Sequence, residues 1–215
     1  MKNTKQLICS LIMLITLLAL TGCGAAKPEA AASPAKPKEA PAQTSQTATG
    51  PKTTSKILIA YFSYSKDHNT KAVAEQIQKA TGGKLVEIKT KTPYSDNYNQ
   101  VVDQGKEEVN HHFKPELATK IADWETYDTV IVGSPIWWYH ISPALASFLA
   151  QQNWQGKKVA LFTTHGGYGP GQSDKDLQEY CSKATLLKSY SAPGKDASKS
   201  EPAVAGWLKE IGLVK

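Results

Sequence analysis

The sequence predicts an α/β domain, a doubly wound sheet of five parallel strands, and three observations carry the prediction. Short, continuous apolar runs recur along residues 56–215. Between them lie stretches whose apolar residues fall three and four positions apart. Gly, Pro, Ser and Asn cluster where one pattern gives way to the other. Strands that alternate with helices need crossover connections, and such crossovers join parallel strands with a right-handed sense.

Ile57-Leu58-Ile59-Ala60-Tyr61-Phe62 is apolar throughout, as expected of a strand covered on both faces. Asn69 to Ala80 follows as a helix with Val73, Ala74 and Ile77 on one face, and Gly82-Gly83 stops it. Leu85 to Ile88 is the second strand. Tyr94, Tyr98, Val101, Val102, Gly105 and Val109 share a helical stripe. Pro115 is expected to start another short helix, leading to Trp124 and Tyr127. Thr129 to Val132 is the third strand, and the chain is expected to leave the sheet after it. Ser142-Pro143 opens the next helix, with Ser capping the free amides and Pro pre-shaped for the first turn. Val159 to Phe162 is the fourth strand. Ser173 to Asp176 resembles a capping box at a helix start. Thr185 to Leu187 is the fifth strand, and Val204, Trp207, Leu208 and Ile211 face inward on a closing helix.

The residues before this domain read differently. Lys2 and Lys5 precede an apolar run from Leu7 to Leu20 that is short for a membrane span. It ends in Leu20-Thr21-Gly22-Cys23, which resembles the lipobox of bacterial lipoproteins. That resemblance implies a signal over residues 1–22, cleavage before Cys23 and lipid on Cys23. Residues 23–55 continue as an Ala-, Pro- and Lys-rich stretch without an aromatic residue, too poor in core formers to offset chain entropy. They are expected to be a disordered tether, able to span roughly 100 Å if semi-extended.

Charge and cysteine content narrow the function classes. The chain carries a formal +6. Lys2, Lys5, Lys27, Lys36, Lys38 and Lys52 stand against Glu29 and Glu39 ahead of the domain, which leaves 19 Lys against 17 acids, or +2, in residues 56–215. A nucleic-acid partner is therefore not expected; lysines of the tether near an anionic lipid surface are the simpler reading. The chain contains no Arg, so phosphate recognition lacks a bidentate fork. Cys181 is the one cysteine of the domain, which excludes an internal disulfide there and fits a small buried residue on a helix face.

Three loops are expected at the carboxyl ends of strands one, three and four, the edge where open α/β sheets bind ligands. Ser63-Tyr64-Ser65-Lys66-Asp67-His68-Asn69-Thr70 leads into a helix and offers hydroxyls, an amide side chain and helix amides to an anion. Gly133-Ser134-Pro135-Ile136-Trp137-Trp138-Tyr139 sets three rings in a row, which can flank a flat ligand. Thr163-Thr164-His165-Gly166-Gly167-Tyr168-Gly169-Pro170-Gly171 has four glycines in six residues, so its backbone can approach a ligand closely.

With Tyr61-Phe62-Ser63, Asn69-Thr70, Pro93-Tyr94, the Pro135-Ile136-Trp137-Trp138 loop and Gly166-Gly167-Tyr168-Gly169 in hand, the domain resembles the flavodoxin family over residues 56–215. The resemblance implies the strand order 2-1-3-4-5 and bound flavin mononucleotide (FMN). It implies that Ser63, Ser65, Asn69 and Thr70 hold the phosphate. Pro135, Ile136, Trp137 and Trp138 would flank the flavin ring, with Thr164, His165, Gly166, Gly167 and Tyr168 along its other side. The first loop departs from the family pattern: Lys66-Asp67-His68 replaces a single Gly, which keeps riboflavin open as the ligand beside FMN.

His68, His140 and His165 each fall in one of these loops, so a zinc or copper site is an alternative to flavin contacts. Asp174, Asp176 and Glu179 read as helix-end charges, Glu107-Glu108 as a solvated face, and His111-His112 as a solvated pair. No Ser stands in a nucleophile-elbow pattern, and no catalytic residue is expected. The expected function is a lipid-anchored FMN redox protein outside the cytoplasm. It would carry electrons to a protein partner or reduce a small acceptor. The alternative is a binding module of the same fold that has lost FMN and holds another ligand or a metal in the crevice loops.

Overall fold

The structure, a computed structural model, describes residues 56–215; the expected signal, Cys23 and the tether lie outside the described residues. In chain order the elements are β1 (Ile57–Tyr61), α1 (Asn69–Thr81), β2 (Lys84–Glu87), α2 (Tyr98–Asn110), β3 (Thr129–Trp137), β4 (His140–Ile141), α3 (Pro143–Gln151), β5 (Lys158–His165), α4 (Ser173–Tyr180), β6 (Thr185–Leu186), β7 (Tyr190–Pro193) and α5 (Glu201–Glu210). Two 3-10 turns, Trp124–Thr126 and Gly194–Lys199, complete the set.

The sheet runs β2-β1-β3-β5, with β6 and β7 both along the outer edge of β5, and these pairings are all parallel. This is the expected order 2-1-3-4-5, with β5 as the fourth strand and the fifth split in two. The sequence expectation found the first piece only. β6 pairs with Lys158-Val159, and the chain rejoins β5 as β7 beside Phe162–His165.

Strand alternation sorts the core into two layers. Leu58, Ala60, Phe62, Val130, Val132, Val159 and Leu161 pack with Leu145, Phe148 and Leu149 of α3 and Leu177 of α4. Ile59, Tyr61, Ile131, Ala160 and Phe162 pack with Val73, Ala74 and Ile77 of α1 and with Val204, Trp207 and Leu208 of α5. The central strands are apolar on both faces because both faces are covered.

Several local expectations need correction. No helix follows Pro115; Leu117 makes an isolated bridge to Thr90 instead. Only the turn at Trp124 is helical there, and the buried Lys157 donates to the carbonyls of Trp124 and Tyr127, which draws that turn onto the start of β5. α2 begins at Tyr98, where Asn97 Oδ1 accepts from Gln100 N, so Tyr94 belongs to the preceding loop. Ser142 does cap α3, accepting from Leu145 N. Ser173 caps nothing: it is the first helical residue, its hydroxyl is buried without a partner, and Gln172 takes the cap position. The third strand does not end at Val132. It continues through Trp137 and turns back as β4, because Ser134 and Pro135 still have Thr163 and Thr164 of β5 to pair with.

Candidate functional site

The parallel register puts Tyr61, Gly133, Phe162 and Tyr190 side by side across the sheet. A Cβ on Gly133 would lie 2.0 Å from the Phe162 ring, so glycine is required at this level. Just beyond it, four chain segments leave the sheet at one rim.

The first is the β1–α1 loop. Ser65 Oγ accepts from the amide of Asn69 at 3.1 Å, and Ser63 Oγ accepts from the amide of Lys71 at 3.4 Å. A hydroxyl that accepts an amide keeps its own proton to donate. Both hydroxyls therefore sit at the positive end of α1 with a proton left to donate. The longer loop reaches this arrangement through His68, whose backbone is left-handed at φ 51° and whose amide donates to Ser65 O. Thr70 is placed differently: it is buried, and its hydroxyl shares a 2.8 Å bond with Thr164 Oγ1.

The second is the β3–β4 hairpin, which separates the two adjacent indoles. Trp137 turns under α2 and meets Phe62, Tyr64 and Tyr94 edge to face at centroid distances of 5.8, 5.6 and 5.0 Å. A Cβ on Gly105 of α2 would stand 3.0 Å from that indole, so the close approach needs a glycine. Trp138 and Tyr139 form the two-residue turn, both left-handed at φ 49° and 68°. Such a backbone costs about 1–2 kcal/mol for each residue with a Cβ. Contacts from α2 on one side and α4 on the other hold it. Trp138 Nε1 donates to Val102 O, and Lys106 lies over its ring. Tyr139 O accepts from Gln172 N, and the Asp176 carboxylate accepts from Ile141 N and pairs with His140 Nδ1. Pro135 and Ile136 are half-buried at the end of β3.

The third segment is the β5–α4 loop. His165 Nδ1 accepts from Gly167 N at 3.1 Å and from Gly169 N at 3.2 Å. Burial holds its pKa below the ordinary 6.5. A Cβ on Gly166, Gly167 or Gly169 would meet nothing within 4 Å, so this loop faces open space. Tyr168 is 83% exposed and sets its ring edge-on to Tyr139 at 6.3 Å.

The fourth segment was not foreseen. A Cβ on Gly194, just after β7, would stand 2.7 Å from Asn69 Nδ2, and Ser191 Oγ accepts from Thr163 Oγ1 at 2.7 Å. The small run Ser191-Ala192-Pro193-Gly194 was its only sequence signal. The rim thus gathers Ser63, Ser65, Asn69 and Thr70 beside Thr164, with His165, Gly166, Gly167 and Tyr168 alongside. Trp137 is set apart, under α2.

The charged groups singled out in the sequence have structural partners. Glu108 is buried rather than solvated; it accepts from Tyr94 Oη and Gln104 Nε2, and burial with this carboxylate pushes the Tyr94 pKa up. Asp176 is buried and clamps β4 rather than serving as a helix-end charge. The Cys181 thiol is fully buried and pushed up to about 12, so it stays protonated. Among the described residues, no three His, Cys, Asp or Glu side chains group as metal ligands. A cavity of about 270 Å³ between α2, α3 and α4, lined by Glu108, Phe113, His140, Asp176 and Tyr180, includes no residue of the first loop or of Gly166–Tyr168.

Comparison with known proteins agrees with this geometry. A family model described as Flavodoxin matches residues 56–211. A crystal structure of a protein assigned as a flavoprotein from Bacteroides eggerthii is 30% identical, covering 75% of this chain and 99% of its own, with a TM-score of 0.65. Another, from Bacteroides uniformis, is 26% identical over 72% of this chain and 98% of its own, at 0.64. A Lactobacillus acidophilus flavoprotein solved in complex with FMN has the same fold at 23% identity, over 67% of this chain and 97% of its own, at 0.56. No curated protein matches the chain. With most of the described residues inside the family match and the rim built from the expected loops, the chain belongs to the flavodoxin family.

Proposed function

We propose that the domain binds FMN at this rim and carries electrons for a partner while held outside the cytoplasm by lipid on Cys23. The observation that carries the reading is that the α1 start, with its two donor hydroxyls, is bonded through Thr70 and Thr164 to the end of β5, from which the open glycine loop departs. The residues present fit the group. Ser63, Ser65 and the Asn69 carboxamide would hold the phosphate, where the helix end favours a dianion without needing an Arg. Gly166, Gly167 and Gly169 leave room for a ring to approach the backbone, and the exposed Trp138, Tyr139 and Tyr168 would shield it from water. The Lactobacillus acidophilus complex supports FMN as the ligand.

Bound FMN supplies reversible uptake and release of electrons and protons; the protein's part is to hold and orient it and to tune its surroundings. Trp138 and Tyr139 stay about half exposed, at 43% and 56%, which favours contact with an outside partner. The neck of the chain supports the anchored arrangement. Lys56 enters at the amino end of β1 while the crevice lies at the carboxyl ends of the strands. The point where the described chain enters the sheet and the crevice thus lie at opposite edges of the sheet.

The test is an absorption and fluorescence titration of the full chain carrying Cys23→Ala with FMN and with riboflavin. FMN is expected to bind with quenched fluorescence, and more tightly than riboflavin. A protein that leaves both ligands unchanged contradicts the reading. The same substitution is expected to move the protein from the membrane fraction to the soluble one.

A further inference from the structure

The glycine loop poses a physical problem. Residues 166–171 hold four glycines, and glycine loses more chain entropy on ordering than any other residue. Nothing packs where side chains on Gly166, Gly167 and Gly169 would stand. Two bonds at the far end, Gln172 N to Tyr139 O and Ser173 N to Pro170 O, fix only the approach to α4. The near end is held from within. The amides of Gly167 and Gly169 both donate to one atom, His165 Nδ1.

We infer that His165 is a positioning residue: its Nδ1, as a fixed acceptor, gathers the two glycine amides inward and so projects Tyr168 outward against Tyr139 to finish the rim. The inference rests on the flavin reading for its effect on ligand binding, but not for its effect on the loop. Two amide donors require an unprotonated Nδ1, so the ring proton is on Nε2. The backbone of His165 is itself fixed, since it lies at the last paired position of β5, opposite Pro193 of β7. The acceptor therefore stands on the sheet, and the loop is shaped around it. This gives His165 a role other than direct contact with the ligand.

The test compares His165→Ala, His165→Asn and His165→Gln in the full chain carrying Cys23→Ala. An Asn side-chain oxygen can take the place of Nδ1; the longer Gln side chain reaches further and cannot do so without distortion. Amide hydrogen exchange of Gly167 and Gly169, read by NMR without ligand, is expected to speed up about tenfold in the Ala and Gln variants and to return close to wild type in the Asn variant. FMN and riboflavin affinities are expected to fall together by about tenfold in the Ala variant and to recover with Asn. Unchanged exchange at both glycines in the Ala variant, or an Asn variant no better than Ala, overturns the inference. If the wild-type protein takes no flavin while its two glycines lose protection only in the Ala and Gln variants, the flavin reading fails and the positioning role stands.

Discussion

Thr70 Oγ1 and Thr164 Oγ1 lie 2.8 Å apart in a buried bond that joins the first turn of α1 to the end of β5, 94 residues away in sequence. Thr163 beside it bonds to Ser191, next to β5 in β7, and His165 on its other side gathers the glycine loop. Three consecutive side chains thus connect the end of one strand to three different walls of the site. Removing either hydroxyl of the threonine pair leaves the other buried without a partner, which costs about 1–3 kcal/mol. Thr70→Val and Thr164→Val are each expected to lower stability by that amount in urea denaturation. The double variant is expected to lose less than the sum of the two. Additive losses would mean the bond does not couple the two loops.

The two adjacent indoles are expected to behave as different residues. Trp137 fills the space between β3 and α2 against three rings, so Trp137→Ala is expected to cost about 3–5 kcal/mol. Trp138 is 43% exposed and makes one bond to Val102 O. Trp138→Ala is expected to cost about 1 kcal/mol or less, the net worth of that bond, while weakening FMN and riboflavin alike. Denaturation midpoints beside ligand titrations check the split, and equal stability losses would contradict it.

The legible part of the sequence was whatever rests on periodicity. Val73, Ala74 and Ile77, or the unbroken run from Ile57, announce their environments because burial on one face or on two leaves a repeating pattern. The segments at the rim were legible as loops but not as shapes. Trp138-Tyr139 carries no Gly or Asn, so nothing local marks a left-handed two-residue turn; it is imposed by Gln172 and Asp176, more than thirty residues on. Ser173 looked like a cap because its spacing to Asp176 is right, yet Asp176 is committed to β4. Glu108 looked solvated because Tyr94, its partner from the preceding loop, meets it only once α2 is docked.

Gly171 is where the hairpin and the glycine loop touch. It is left-handed at φ 58°, and a Cβ there would lie 2.2 Å from Tyr139 O. No flexible side chain stands in the way to yield; the clash is with backbone. Gly171→Ala is therefore expected to push the two loops apart, break the Gln172 N–Tyr139 O bond and abolish flavin binding. The core strands do not touch this point, so their slowly exchanging amides are expected to remain protected. Loss of that protection would place the damage in the fold rather than at the rim.

His165 makes one contribution to the acid dependence of stability. Burial lowers its folded pKa below 6.5, while in the unfolded chain the imidazole takes up its proton near 6.5. Between the two values the unfolded state binds more protons than the folded one, so stability falls as pH falls. Above 6.5 both states are neutral and the contribution is fully present; below the folded pKa both are protonated and it is lost. Carboxylates titrate mostly below this window, and His165→Asn removes the imidazole while keeping an acceptor. The difference in urea midpoint between wild type and His165→Asn is therefore expected to be flat above about pH 7 and to move against the wild type as pH drops through 6.5. Protonation of Nδ1 in the folded protein also removes the acceptor of two amides, so wild-type FMN affinity is expected to decline only at lower pH, as the folded ring itself takes up its proton, and the Asn variant's to hold. A difference curve that stays flat down to pH 5 would mean that the ring does not titrate as a buried acceptor.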